Sequence, residues 1–393
     1  MKYIEDSKHK LVYVAMLTSG VPIRIIGDVY VGEIILALYG FDLLVSKQRV
    51  FVNKYFSKIP ILMILWLIAN FFSSIANYKD FRLSLVSIFT VLISFCAIFS
   101  MLGFVKRNPS KFIYLALTFV AGRIFGVFLF PNNNSTKLFW KFGVGEWVIL
   151  LVIVLMFSTR KTFPFSILLL GFGMFSFLNE ARTLGFLTVL TIFVLLPKFR
   201  ESRKVGLVSL LLFFLLPIVY FGYILLASHN ILGYKEYERS QVLATSDIGP
   251  LAARTEFVFS SKAFLTSPLY GYGFEPQVNR RIIIDGYQWL SDRNVIVSSQ
   301  IPGNLPMHSF LMSALVQGGI FAGFFWFATL VYVVQCLVSI TRHPNYSRAL
   351  VFYSCSSLID RILFSPYGAY ERLNFAFYIT TLFTLISDQE RDN

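Results

Sequence analysis

Charge is scarce in this chain. Only 14% of its 393 residues are Asp, Glu, Lys or Arg, whereas a soluble domain carries about 25%. With 56% hydrophobic side chains and a mean hydropathy of +0.67, the length does not point to two or three soluble domains. Cysteine is scarce too. Cys96, Cys336 and Cys355 all lie in apolar runs without metal-ligand spacing, so they read as small core hydrophobes. There is no HExxH, DxD, Walker loop or CxxC, so neither a metal nor another cofactor is indicated. Small-residue cleavage signals are also missing after the mixed-charge start MKYIEDSKHK. We therefore expect no cleavable signal peptide.

What the chain has is apolar runs from end to end. About twelve have the length that a hydrocarbon core asks for. Their limits are 11–27, 29–45, 59–78, 83–105, 112–130, 142–158, 163–179, 184–197, 205–227, 307–340, 349–365 and 373–387. The expected fold class is an all-α polytopic membrane protein with one large outer loop containing short helices, for example around 250–266. The expected division is an N-terminal bundle (1–227), the loop (228–306) and a C-terminal bundle (307–393). The run 307–340 is too long for one upright helix, and Gly318-Gly319 is where it would break.

Orientation follows from Lys and Arg in short connections. With the N-terminus inside, nineteen of them, from Lys2 to Arg391, fall on the cytoplasmic side. Only five, Lys79, Arg82, Lys137, Lys141 and Arg372, fall outside. Much of the net charge of +14 is thus a topology signal and not a nucleic-acid footprint. Both termini are expected in the cytoplasm and the long loop outside it. Long loops are usually functional.

Several charges fall within or at the edges of runs: Arg24, Glu33, Asp42, Arg123, Glu146, Glu180, Arg182, Asp360 and Arg361. A charge deep in a bilayer costs about 2.5–3.5 kcal/mol on insertion scales, so it faces a cavity or a partner. Pairing of Arg24 with Glu33, or of Asp360 with a neighbour, is the structural account. The functional account centres on Arg182 in NEARTLGF, Arg254 in LAARTEFVFSS and His308, where the loop meets the next run. By the expected orientation all three reach the outer surface. Guanidinium groups stay charged and grip two oxygens at once, which suits a diphosphate. Histidine transfers protons near neutral pH. We take Arg182, Arg254 and His308 as catalytic candidates, and Arg280, Arg281, Tyr272 and Glu275 as substrate-binding candidates. Plainer roles stand beside these. His308 could cap a helix, Arg280-Arg281 could meet lipid headgroups, and PLYGYGFEP (268–276) has the Gly and Pro pattern of a tight turn. His9, His229 and His343 have no such setting.

These residues carry a resemblance to the O-antigen polymerase and O-antigen ligase superfamily. NEARTLGF resembles the family's Ser-Arg-Thr-Gly-like span end. RTEFVFSSKAFLTSPLYGYGFE resembles its loop pattern of an arginine, an aromatic three later and Pro-Leu-x-Gly-x-Gly. HSFLMSALVQGGIFAG resembles its His-Asn-x-x-Leu segment. The order agrees, and the similarity is clearest over 180–325. Departures are Ala181 for the usual serine, Ser309 for asparagine and Phe257 for tryptophan.

The resemblance implies a metal-independent glycosyltransferase of the bacterial inner membrane with a periplasmic site. Its donor would be a glycan on undecaprenyl diphosphate. Its acceptor would be another lipid-linked repeat unit (polymerase, the reading we place first) or the lipid A core (ligase). Arg182 and Arg254 would hold the donor diphosphate, and His308 would orient or deprotonate the acceptor hydroxyl. Membrane lipids and a chain-length regulator protein are the implied partners. A glycan flippase is a further reading, but transporters place binding charges near the midplane of related halves, and no internal repeat is evident here.

Overall fold

A computed structural model describes residues 2–24, 28–45, 59–77, 81–131, 138–179, 181–195, 254–274, 278–295, 309–342, 344–365 and 367–392, with short pieces between 225 and 247, Thr136 and Leu305. Among these residues the chain is helical almost throughout. The helices are α1 (Lys2–Leu17), α2 (Val31–Val45), α3 (Ile59–Ala76), α4 (Phe81–Arg107) and α5 (Phe112–Leu129). Next come α6 (Gly145–Thr159), α7 (Phe163–Leu178) and α8 (Arg182–Val194), then α9 (Glu256–Thr266) and α10 (Arg280–Ser291) in the long loop. Finally come α11 (Phe310–Val338), α12 (Asn345–Phe364) and α13 (Ala369–Asp392). Apart from α9 and α10 they overlap expected apolar runs, although α1 begins before its run; α9 falls where a loop helix was expected and α10 was not foreseen. All but the last three residues of the run 205–227 lie outside the described residues. So do Glu180, Glu275, His308 and His343, and the side chains of His9 and Arg24.

The first run departs from expectation. It is helical only to Leu17, and a two-stranded antiparallel hairpin follows, β1 (Pro22–Arg24) and β2 (Asp28–Tyr30), with Pro22 opposite Tyr30. Pro22 lacks the N–H that a continuing helix needs. Gly20 lies so close to Gly122 and Gly126 of α5 that any side chain there would strike their backbone. GRIFG (122–126) thus forms a small-xxx-small contact of the kind that lets helices approach closely.

Among the described residues three helical segments are long and apolar enough to cross a membrane: Pro109–Leu129, Trp140–Thr159 and Phe310–Val338. Ile61–Ala76, Phe163–Leu178 and Arg182–Val194 are shorter and apolar. One apolar core runs through both halves of the chain, from Val12 to Leu385. Within it α11 packs on α3 and α12, and α13 packs on α4. None of the three cysteines forms a disulfide, and Cys336 and Cys355 are buried in this core. A second, smaller core under the loop joins Phe259, Ile283 and Leu290 to Val316 of α11.

The Gly pair does break α11. Gly319 has φ 66° and ψ −163°, a conformation that only glycine adopts without strain. The break removes the helical partners of nearby carbonyls, and PLYGYG replaces them. Tyr272 N–H donates to Val316 O and Gly273 N–H to Gln317 O, both at 2.8 Å, while Ile320 N–H donates to Pro268 O at 2.8 Å. Ser73 of α3 donates to Gln317 O at 2.6 Å and accepts from Gly273 N–H at 2.7 Å. Irregular backbone inside an apolar bundle persists only where protein satisfies its polar groups. The loop turn and the helix break are each other's partners.

Candidate functional site

The starts of α6, α8 and α13 and the end of α12 meet around one cavity of about 710 Å³. Glu146 comes from the first turn of α6, Arg182 begins α8, and Glu371 lies in the first turn of α13. Ser357, Asp360, Arg361 and Phe364 come from the last turns of α12. Arg254 stands two residues before α9, and Lys141 lies in the π-helical turn Trp140–Val144. Four cations and three carboxylates therefore share one wall-to-wall space.

Their commitments differ. Arg361 is nearly buried and held on all sides. Its Nη2 meets Glu146 Oε1 at 2.5 Å and its Nε meets Glu371 Oε2 at 2.5 Å. Its Nη1 donates to Ser357 O at 3.3 Å. Tyr378 donates to the same Glu146 oxygen at 2.6 Å, and Asn374 to the same Glu371 oxygen at 3.1 Å. This closed network fixes the floor of the cavity. Arg254 is held loosely. Its side chain is 40% exposed and only 3.4 Å from Glu256, with its guanidinium 5.2 Å from the Phe364 ring centre. A guanidinium over an aromatic face keeps its N–H edge available. Asp360 lines the cavity but makes no hydrogen bond or ion pair with the described residues.

Arg182 and Arg254, distant in sequence, line one cavity. His308 lies outside the described residues. The residue after it is placed, however. Ser309 caps α11 by accepting from Met312 N–H at 3.1 Å, and donates to Ile362 O at 2.8 Å. Ser309 thus acts as a helix cap, tied two residues from Asp360.

No protein-family profile, curated protein or solved structure matches this chain.

The other substrate-binding candidates are elsewhere. Arg280 and Arg281 open α10, where Asn279 caps the helix at 3.0 Å from Arg281 N–H, and their side chains are exposed. Tyr272 packs in the smaller core and uses its backbone to patch α11. None of the three lines the cavity, because α10 rests on α9 and the Tyr272 turn is spent on the helix break. Glu275 lies outside the described residues.

Glu33 is bidentate with Arg372, at 2.7 and 2.9 Å, and also accepts from Tyr30 N–H at 2.9 Å. The partner expected for Glu33 was Arg24; the observed one lies on α13. Arg372, counted as an outer-loop cation, is 5% exposed. Arg123 is 1% exposed, ringed by Tyr30, Phe119, Trp147 and Tyr370 and donating to Tyr370 O at 2.8 Å. Both are fastenings within the bundle and do not line the cavity. Glu371, Tyr353 and Tyr378 escaped the sequence reading. YERL looks like a loop-end cluster, and nothing local shows that Glu371 and Arg372 turn to different partners. Among the described residues no three His, Cys, Asp or Glu side chains are grouped as a metal ion would need.

Proposed function

We propose that this chain is a metal-independent membrane glycosyltransferase that polymerises lipid-linked oligosaccharide repeat units, as its resemblance to the O-antigen polymerase and ligase superfamily implies. The observation that supports the reading is the convergence of Arg182 and Arg254 on one cavity. In this reading the chain spans the bacterial inner membrane about twelve times and the cavity opens to the periplasm.

The two arginines hold the donor diphosphate. As the acceptor oxygen attacks the anomeric carbon, the bond from that carbon to the phosphate oxygen breaks. The electron pair leaves with the diphosphate, where guanidinium groups stabilise it. The hydroxyl proton needs an acceptor. His308, two residues before α11 in the sequence, supplies an imidazole, and Asp360 supplies a carboxylate already in the cavity. His308 orients the hydroxyl, and either group can take its proton.

The test is reconstitution. Purified protein in lipid nanodiscs receives the lipid-linked repeat unit with a chelator present. Products longer than one unit, with release of the lipid diphosphate, support the polymerase. Products only when lipid A core is added establish the ligase instead. No product in either mixture rejects the transferase reading.

A further inference from the structure

We propose that Phe364 is the positioning residue for Arg254, holding that guanidinium where it grips the donor diphosphate. The inference rests on the transferase reading and adds to it the part that sets the grip. Arg254 needs such a part. It stands in the loop two residues before α9, so no helix of its own fixes its side chain. Its polar partner among the described residues is Glu256, whose Oε1 lies 3.4 Å from Nη1. Charge-assisted bonds of this kind are about 2.7–2.9 Å long, so the pair restrains the guanidinium weakly. Glu256 also has a separate task. It is the acidic residue in the first turn of α9, where a carboxylate offsets the helix dipole. Thr255, at the cap position, makes no side-chain hydrogen bond to the helix.

Phe364 supplies what these residues do not. It is the last residue of α12, one turn beyond Asp360, and it lines the same cavity. The Arg254 guanidinium carbon lies 5.2 Å from its ring centre. The same ring meets Phe257 of α9, with ring centres 6.1 Å and planes 68° apart. Phe259 and Ala263 of α9 turn the other way, into the smaller core with α10. One ring on a membrane helix therefore receives both the arginine and the start of the loop helix. The platform beneath it is firm. Arg361, in the preceding turn, is held by Glu146 and Glu371, and Ser365 N–H donates to Arg361 O at 3.1 Å.

A ring suits this task better than a carboxylate would. A carboxylate close to Arg254 would take its donors and cancel its charge, as Glu146 and Glu371 do for Arg361. The face of a ring attracts the cation through its quadrupole and consumes none of its N–H groups. The guanidinium is thereby placed while it keeps the fork that binds two phosphate oxygens.

The test is binding of a polyprenyl diphosphate to the purified full-length protein in phosphatidylcholine nanodiscs. A cation–π contact is worth about twofold to about thirtyfold in affinity, from exposed to desolvated settings. Phe364→Leu keeps apolar bulk and loses the ring, and is expected to weaken binding about tenfold, within that range. Phe364→Met serves in its place should Phe364→Leu fail to accumulate. Phe364→Tyr keeps the ring and is expected to bind as wild type does. Phe257→Leu removes the contact between helix and ring but leaves that between cation and ring, and is expected to stay close to wild type. The decisive comparison is the double variant. If Phe364 acts through Arg254, Arg254→Ala with Phe364→Leu binds no more weakly than Arg254→Ala alone. Full additivity of the two losses overturns the inference, and so does a loss in Phe257→Leu equal to that in Phe364→Leu. Weakened binding by Arg254→Ala beside wild-type binding by Phe364→Leu and Phe364→Met overturns the inference alone. Equal binding by wild type and Arg254→Ala overturns the diphosphate grip itself, and the inference with it.

Discussion

Two arginines on one cavity illustrate why residue type alone does not assign a role. Arg361 is clamped between Glu146 and Glu371, and removing it leaves two largely buried carboxylates without their cation. Breaking such a pair costs about 3–5 kcal/mol, so Arg361→Ala is expected to lower the amount of folded protein in the membrane sharply. Glu33→Gln is expected to do the same, because Arg372 would keep its buried charge without its bidentate partner. Fluorescence-detected size exclusion in detergent measures both losses. Asp360 differs again. Asp360→Asn keeps size and polarity but cannot accept a proton. It is expected to leave folded protein and donor binding near wild type while transfer falls. Full transfer by this variant leaves proton acceptance to His308 alone. Arg182 and Asp360 were legible because a charge in or at the edge of an apolar run has few innocent explanations, and Arg254 because of its segment LAARTEFVFSS in the long loop. Their partners were not. Glu146 and Arg361 are 215 residues apart, and Glu33 and Arg372 are 339 apart. A single sequence carries no signal for pairs at such separations.

At the scale of elements, apolar runs gave helix positions well, because a bilayer-length run leaves the backbone few alternatives. The first run misled because apolarity outweighed two local signals, Gly20 and Pro22, which end the helix and start a hairpin. The break at Gly318-Gly319 was legible from length and glycine. Its satisfaction by PLYGYG was not, since only three-dimensional contact links them. Gly319→Ala places a carbon against the Leu269 carbonyl in a left-handed conformation. Strain of this kind costs about 1–3 kcal/mol. We expect a lower melting temperature in detergent and impaired transfer, because α11 begins two residues after His308 in the chain. An unchanged melting temperature and normal transfer would mean that the bend has no role in setting the site.

For the whole molecule, the starts of α6, α8 and α13 and the end of α12 gather Glu146, Arg182, Asp360, Arg361 and Glu371 around one cavity, which in the proposed orientation opens to the outside. A reporter fused after Lys235 is expected to read as periplasmic, and one fused after Asp388 as cytoplasmic. The reverse pattern would put the cavity on the wrong side for a periplasmic reaction. The central claim is that Arg254 and Arg182 hold a diphosphate in that cavity, and the polymer ladder in a strain lacking its own copy tests it most directly. Each charged hydrogen bond lost from Arg254 is worth about 1.5–3 kcal/mol, so Arg254→Ala is expected to reduce polymer at least about a hundredfold. Arg254→Lys should recover little, since one ammonium cannot reproduce the fork. Arg281→Ala, outside the cavity, should keep its ladder. Protein levels in the membrane are checked for each variant. A full-length ladder from well-expressed Arg254→Ala and Arg182→Ala would contradict the account.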